Sequence, residues 1–367
     1  MKVALVHDYL NQYGGAERVL ECFLDIFPDA DVYTLLYDRS KLSDKLKEIK
    51  PVISFLQKLP FSKKLYERYL PFYPLAIEGF NLLDYDIVLS DSSAWTKGVF
   101  THESTLHICY CHNPMRFAYE NFHDFTVGES RNKLEKGILR LLINYFRMWD
   151  YSAAQRVDYF IAISQHIRRR IKKYYGRDSV VIYPPVDTDF FYPSERKKED
   201  YFLVVGRFKE YKRFDIAIEA FNRLGIPLIV IGEGPLKGKF MRMAGKNIHF
   251  TERVDDITLR AYYQNAQALV FTPLEDFGIV PLEAQACGTP VIAYNKGGAR
   301  ETVIEGKTGL FFEEQTPESL IDAVKRFRGM RFNKMNMVLN ARRFNRERFK
   351  KEIKEFVIEK YREFKNA

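Results

Sequence analysis

Short apolar runs alternate with amphipathic stretches along the whole chain, and this alternation is the tightest limit on what it folds into. "KVALVHDY", "ADVYTLL", "YDIVLSDS", "LHICYCH", "YFIAIS" and "VVIYPP" occupy the first half; "YFLVVGR", "PLIVIGEG", "IHFTERV", "ALVFTPL" and "PVIAYN" restart the pattern in the second. Runs of this kind separated by helical segments predict parallel strands joined by crossover helices, hence an α/β fold of two doubly wound domains. Length agrees, since 367 residues exceed what one core usually supports. "PPVDTDFFYPSERKKED", rich in proline and charge, predicts a hinge between the halves. The expected boundaries are 1–183 for the first domain, 184–200 for the linker and 201–345 for the second domain. Residues 346–367 form a charged helical segment with no strand after it, expected to cross back to the first domain. Such sheets bind ligands at the carboxyl ends of their strands, so two in tandem predict a cleft between the two edges.

Lys and Arg outnumber Asp and Glu by 57 to 48, a formal charge of +9 that favours anionic partners. The basic residues are dispersed among ordinary amphipathic helices and no nucleic-acid recognition signature is present, which sets nucleic acid aside. "MKVALVHDYL" is too short for a signal-peptide core and reads as the first buried strand of a cytoplasmic protein. The four cysteines, among them Cys109 and Cys111 on one face of "LHICYCH", read as core thiols, without zinc-ligand spacing. In "KLEKGILRLLINYFRMW", Leu134, Ile138, Leu141 or Leu142, Tyr145 and Trp149 recur at helical spacing. That stripe reads as core-facing, with a membrane-facing alternative because Lys and Arg border it. "QHIRRRIKKYYGR" reads as a solvated basic face, with a membrane or substrate role as the alternative, and "LPFSKKLYERYLPFYP" as either a core-packed loop or an interface for a lipid-linked acceptor.

Neither a GxGxxG turn nor a Walker lysine motif is present. The first strand-to-helix turn instead has paired Gly14 and Gly15, which let backbone amides approach a phosphate or simply make a tight turn. In the second half, strand "YFLVVG" ends in Arg207, with Lys212 five residues on, so two cations suited to a diphosphate reach one sheet edge. Glu275 and Glu283 lie eight positions apart in "EDFGIVPLE"; the amides of Phe277, Gly278 and Ile279 open a helix between them and point at an incoming anion. Glu283 falls about a turn into that helix and Glu275 stays on the loop, an arrangement suited to accepting hydrogen bonds from sugar hydroxyls. Asp276 adds a negative charge beside these amides and is a candidate helix cap.

These motifs resemble the retaining glycosyltransferases of family four, whose fold is the two-domain GT-B architecture. "EDFGIVPLEAQACGTPVIAYNKGGARETVIEGKTGLFF" is similar to that family's Glu-seven-Glu region and its Gly-Gly-x-x-Glu continuation; "VVGRFKEYKRFD", "IGEGP" and "RVDDITLRAYYQNA" follow in the expected order. "HDYLNQYGGAERV", "SDSSAWTKGV" and "CHNPMRFAYE" look like the mannosyltransferase branch acting in O-antigen and exopolysaccharide assembly. The resemblance implies that Glu283 binds the donor ribose, that Glu275 binds the transferred sugar, and that Arg207 and Lys212 hold the diphosphate with the amides of Gly278, Ile279 and Gly15. It further implies that the segment Glu252 to Val254, with Arg253 and Val254, flanks the nucleobase through its backbone, and that Gly232 and Gly234 leave room beside it. His112, at the end of "LHICYCH", matches the histidine near the reacting sugar. A hexosyltransferase using GDP-mannose, with no cofactor and no metal, is thus expected, acting on a polyprenyl-diphosphate-linked glycan at the inner face of the cytoplasmic membrane. Front-face attack and a covalent intermediate both remain open. A UDP- or ADP-sugar transferase, a sugar-phosphate synthase and a non-catalytic GT-B scaffold are the alternatives. Asp-x-Asp occurs at Asp29/Asp31, Asp84/Asp86 and Asp187/Asp189, where each reads as turn or capping chemistry.

Overall fold

The computed structural model describes residues 1–62, 66–120, 122, 133–195 and 197–366; Lys63 to Leu65 of the aromatic and basic segment read above lie outside it. The chain divides into two compact units, Met1–Pro184 with Phe349–Ala367, and Pro185–Arg348.

The first unit is built on a parallel sheet of β1 (Val3–His7), β2 (Asp31–Thr34), β3 (Val52–Ile53), β4 (Ile87–Ser92), β5 (Leu106–Cys111), β6 (Tyr159–Ala162) and β7 (Ser179–Val181), in the order β3-β2-β1-β4-β5-β6-β7. β1, β4 and β5 are buried at every position, as strands covered on both faces require, which is why their sequences are nearly continuous apolar runs. The strand order reverses between β1 and β4, whose register sets His7 opposite Asp91. Three helices of this unit matter below: α1 (Gly15–Ile26), α2 (Lys133–Gln155) and α3 (Gln165–Tyr175). Ser164 opens α3 by accepting the Ile167 N–H at 3.1 Å, and Gly176 closes it at φ +70°, a conformation that favours glycine.

Two polar devices fix the loop after β4. Asp8, just past β1, accepts the backbone N–H groups of Ser93, Ala94, Trp95 and Thr96 at 2.7–2.9 Å. Lys97 then turns inward to an ion pair with Asp150 of α2 at 2.5 Å, both side chains fully buried, and the Tyr175 hydroxyl donates to the same carboxylate at 2.7 Å. Removing one member of such a pair typically costs roughly 3–5 kcal/mol, because the other charge is stranded. The loop is thereby held against α2 and α3.

The reading of α2 as a helix that turns its predicted stripe to the core is corrected. Ile143, Phe146, Asp150, Ala153 and Ala154 are its buried residues. Leu142 and Trp149 pack against the core beside them, but Leu134, Ile138, Leu141 and Tyr145 are exposed. The apolar arc of the helix is wider than the face the core covers, so two stripes of equal period compete. Trp95, whose ring meets Phe146 at 5.2 Å and Trp149 at 5.7 Å, selects the second.

The second unit carries a parallel sheet of β8 (Phe202–Val205), β9 (Leu228–Ile231), β10 (Ile248–Thr251), β11 (Leu269–Phe271), β12 (Val291–Tyr294) and β13 (Gly309–Phe312), in the order β10-β9-β8-β11-β12-β13. One core cluster gathers around Phe208, Phe214 and Phe221, another around Tyr263, Leu269 and Val291. Its helices α4 (Phe214–Leu224), α5 (Asp256–Asn265) and α6 (Ile279–Ala286) follow β8, β10 and β11. The C-terminal helix, Arg346–Asn366, buries Phe349, Ile353 and Val357 one turn apart. Phe349 stacks on Phe23 at 5.8 Å and the Tyr361 hydroxyl donates to Asp86 at 3.0 Å, so from Phe349 onward this helix is part of the first unit. β3 and β13 are additions to the predicted strands.

Candidate functional site

In each unit the polar side chains gather at the carboxyl edge of the sheet beside the reversal of strand order, where doubly wound folds bind ligands. In the first unit the group forms around Asp91. His7 ends β1, Asp91 lies on β4, and His112 directly follows β5, its N–H donating to the Ser92 carbonyl at 2.8 Å. The Asp91 carboxylate bridges the two rings, with Oδ2 2.8 Å from His7 Nδ1 and Oδ1 2.5 Å from His112 Nε2. His7 Nε2 is 3.8 Å from the buried Glu17 carboxylate in the first turn of α1. Burial opposes a charge on His7, but its bonds to Asp91 and Glu17 outweigh that and push its pKa up to about 10. Burial likewise works against a charged Asp91, and the rings of His112 and His7 more than compensate, holding it below the usual carboxylate range. His112 is the member that reaches the surface, its side chain 14% exposed against 3% for His7 and 1% for Asp91. The cluster therefore presents one imidazole whose orientation is fixed from behind. Gly15 begins α1, with Gly14 as the N-cap. His7, Asp91 and Glu17 were missed in sequence; the available signal was a polar residue ending an otherwise apolar run in "VALVHD" and "VLSDS".

In the second unit the called residues share the carboxyl edge as well. Arg207 follows β8 and is exposed; Lys212 lies on the same connection, and its ammonium pairs with the Glu275 carboxylate on the loop after β11. The two side chains are 16% and 18% exposed. The Thr272 hydroxyl donates to the Lys212 carbonyl at 2.8 Å, tying the two connections together. Gly278, at φ +105°, is the N-cap of α6, so the N-cap position carries no side chain and Asp276 is not the N-cap residue. The Phe277 ring is buried against Phe344 at 5.6 Å, anchoring the loop. One turn into α6, Glu283 is 4% exposed and accepts the Tyr263 hydroxyl at 3.0 Å.

Glycines shape this edge by allowing backbones to touch. A Cβ on Gly298 would lie 2.2 Å from Phe277 Cα, and the Gly298 N–H donates to the Glu275 carbonyl at 2.8 Å. A Cβ on Gly232 would lie 1.9 Å from the Gly206 carbonyl oxygen, and one on Gly234 2.8 Å from Phe208 backbone atoms. The room these two provide is thus taken up on one side by the connection carrying Arg207. Arg253 and Val254 follow β10, with Arg253 4.0 Å from Glu233. Tyr263, Gly206 and Gly298 add to the residues predicted from the sequence.

Among the described residues no group of three or more His, Cys, Asp and Glu is arranged to hold a metal ion. Of the Asp-x-Asp carboxylates, Asp187 accepts the Phe190 N–H at 3.0 Å as turn chemistry, whereas Asp31 accepts the Tyr85 hydroxyl at 2.6 Å and Asp86 the Lys2 N–H at 2.8 Å, both from distant parts of the sequence.

A family model described as glycosyltransferase family 4 matches residues 13–190, and one described as glycosyl transferases group 1 matches residues 186–344. The O-antigen chain mannosyltransferase C of Escherichia coli is 25% identical over 338 residues, covering 86% of this chain and 85% of its own. The GDP-mannose-dependent alpha-(1-6)-phosphatidylinositol monomannoside mannosyltransferase of Mycolicibacterium smegmatis is 30% identical over 198 residues, 46% of this chain and 52% of its own. The match thus spans about half the length of that relative. The solved structure of sucrose-phosphate synthase from Thermosynechococcus elongatus has a TM-score of 0.76 at 18% identity, covering 98% of this chain and 99% of that one, a likeness of fold.

Proposed function

The chain belongs to the family-four glycosyltransferases of GT-B fold, and on that premise we propose that it moves mannose from GDP-mannose onto a glycan carried on a polyprenyl diphosphate, with retention and without a metal ion. The observation that carries the reading is the Lys212–Glu275 pair at the start of α6, with Arg207 on the same connection as Lys212. Cations and helix-end amides at one edge suit a leaving diphosphate, and a carboxylate beside them suits the hydroxyls of the sugar it leaves. The mannosyltransferase names of both relatives support mannose, and the mycobacterial name supports GDP-mannose. The O-antigen chain name supports a growing glycan chain as acceptor.

In this reading Arg207, Lys212 and the amides of Gly278 and Ile279 meet the charge that grows on the diphosphate, and the Gly15 amide of the first unit is a proposed hydrogen-bond donor to phosphate. Glu283, oriented by Tyr263, holds the ribose hydroxyls, while the backbone at Arg253 and Val254, with Gly232 and Gly234, borders the guanine. Glu275 takes the hydroxyls of the mannose once Lys212 turns to phosphate; in the first unit His112, held by Asp91, is the group proposed to orient a sugar. The acceptor hydroxyl forms its bond to the anomeric carbon on the face from which the diphosphate departs, and its proton passes to a donor phosphate oxygen. No protein nucleophile is needed for retention on that route.

The test is NMR of the product formed from GDP-mannose and a membrane-extracted acceptor, with chelator present. Transfer with the donor's anomeric configuration is expected. Inversion, or transfer that appears only on adding a divalent cation, contradicts the mechanism; transfer from UDP-hexose alone contradicts the donor.

A further inference from the structure

The correction at α2 leaves a surface for which the transfer reaction has no use. Leu134, Ile138, Leu141, Tyr145 and Met148 are 73%, 58%, 74%, 47% and 60% exposed. At about 100° per residue they fall within an arc of about 80° and run for about 21 Å along the helix. Soluble proteins rarely leave so many large apolar side chains in one continuous line on one element. The buried stripe of Ile143, Phe146, Asp150 and Ala153 lies on the opposite side, so the same helix holds the core with one face and offers the other outward.

Charge says what fits it. Lys133 and Arg140, both exposed, lie about 60° and 80° beyond one edge of the arc, with Lys136 further round, and Glu135 lies about 60° beyond the other. A line of Leu, Ile, Met and Tyr edged by Lys and Arg is the pattern of a helix lying in the plane of an anionic bilayer, apolar side chains among the acyl chains and cations at the headgroups. A further exposed apolar side chain lies on the helix Tyr73–Glu78. That helix is joined to α2 by the Trp149 indole, which donates to Glu78 at 2.8 Å, and one turn before Glu78 it carries Leu75, 63% exposed. No helix among the described residues is long and apolar enough to cross a membrane, so this is attachment to a surface.

We propose that the outward face of α2, from Leu134 to Met148 with its Lys133–Arg140 edge, docks the protein on anionic phospholipid. The docking gives the lipid-linked acceptor of the proposed function its setting, and rests on that function for its purpose but not for its existence.

Flotation of the full chain with vesicles of phosphatidylcholine alone, or of phosphatidylcholine with phosphatidylglycerol, tests it. Binding to the anionic vesicles is expected, weakening as salt rises. The exposed pair Ile138→Glu and Leu141→Glu together should lower vesicle partitioning at least tenfold with the melting temperature unchanged, and Lys133→Glu with Arg140→Glu should abolish the preference for phosphatidylglycerol. Failure to float with either vesicle overturns the proposal, as does flotation untouched by the Glu pair. A dimer in sedimentation that the Glu pair dissociates also overturns it, since a second copy would then cover the face. Donor turnover is followed separately: a protein that floats but turns over no nucleotide sugar loses the proposed function and keeps this surface, and the converse holds.

Discussion

Glu275→Gln is expected to separate donor binding from donor use. In the free protein the Lys212 ammonium is held by Glu275, and a diphosphate entering that edge has to draw it away. Both side chains touch solvent, so the pair is worth about 1 kcal/mol, and releasing the lysine should tighten binding of free GDP by about fivefold. The same substitution removes the charge proposed to accept hydrogen bonds from the transferred sugar. Charge-assisted bonds that strengthen in the transition state are worth about 3–4 kcal/mol, so kcat should fall by about two to three orders of magnitude. Titration calorimetry with GDP, and single-turnover rates at saturating donor, measure the two quantities independently. If Glu275→Gln weakens GDP binding as much as it slows turnover, Glu275 belongs to the nucleotide subsite and the division of roles is wrong.

Glu283→Ala should weaken GDP binding itself by at least about tenfold, with a smaller loss for Tyr263→Phe, which removes only the bond that orients the carboxylate; calorimetry on both checks the order. Gly298→Ala places a Cβ against the Phe277 backbone and should displace the 275–278 loop, abolishing nucleotide binding while circular dichroism stays native. The His7 cluster predicts a pH dependence of stability. Its folded pKa, about 10, lies above the unfolded value near 6.5, so its contribution is complete below pH 6.5 and is lost as pH rises toward 10. Urea unfolding of the wild-type chain should therefore show a midpoint falling between pH 7 and 10. His7→Gln should be less stable at pH 7 and show a flatter dependence over that interval, and an equal slope in both proteins would contradict the assignment.

The fold was legible because parallel strands buried on both faces leave continuous apolar runs, and β1, β4 and β5 are buried throughout. β3 was not, since Val52–Ile53 is too short to form a pattern, nor was β13, whose "GLFF" follows directly on the turn at Gly306. The second-unit edge was legible because Arg207 with Lys212, and Glu275 with Glu283, lie close in sequence and their loops have fixed spacing. The Asp91 group was not, because His7, Asp91 and His112 come from three strands and meet only through the register of β1, β4 and β5. The phase of α2 was misjudged for a different reason. Hydrophobic period determines that a helix is buried on one side, but where the apolar arc is wider than the buried face only the neighbouring core, here Trp95, decides which part of it is covered.

Calorimetric titration of the purified protein with GDP, UDP, ADP and GDP-mannose, first in chelator and then with magnesium, tests the central claim most directly. The account predicts selective binding of GDP and GDP-mannose, unchanged by the metal and lost in Glu283→Ala. Preference for UDP or ADP would contradict the mannosyl donor, a requirement for magnesium would contradict a diphosphate held by Arg207 and Lys212, and no binding of any of the four would contradict a transferase.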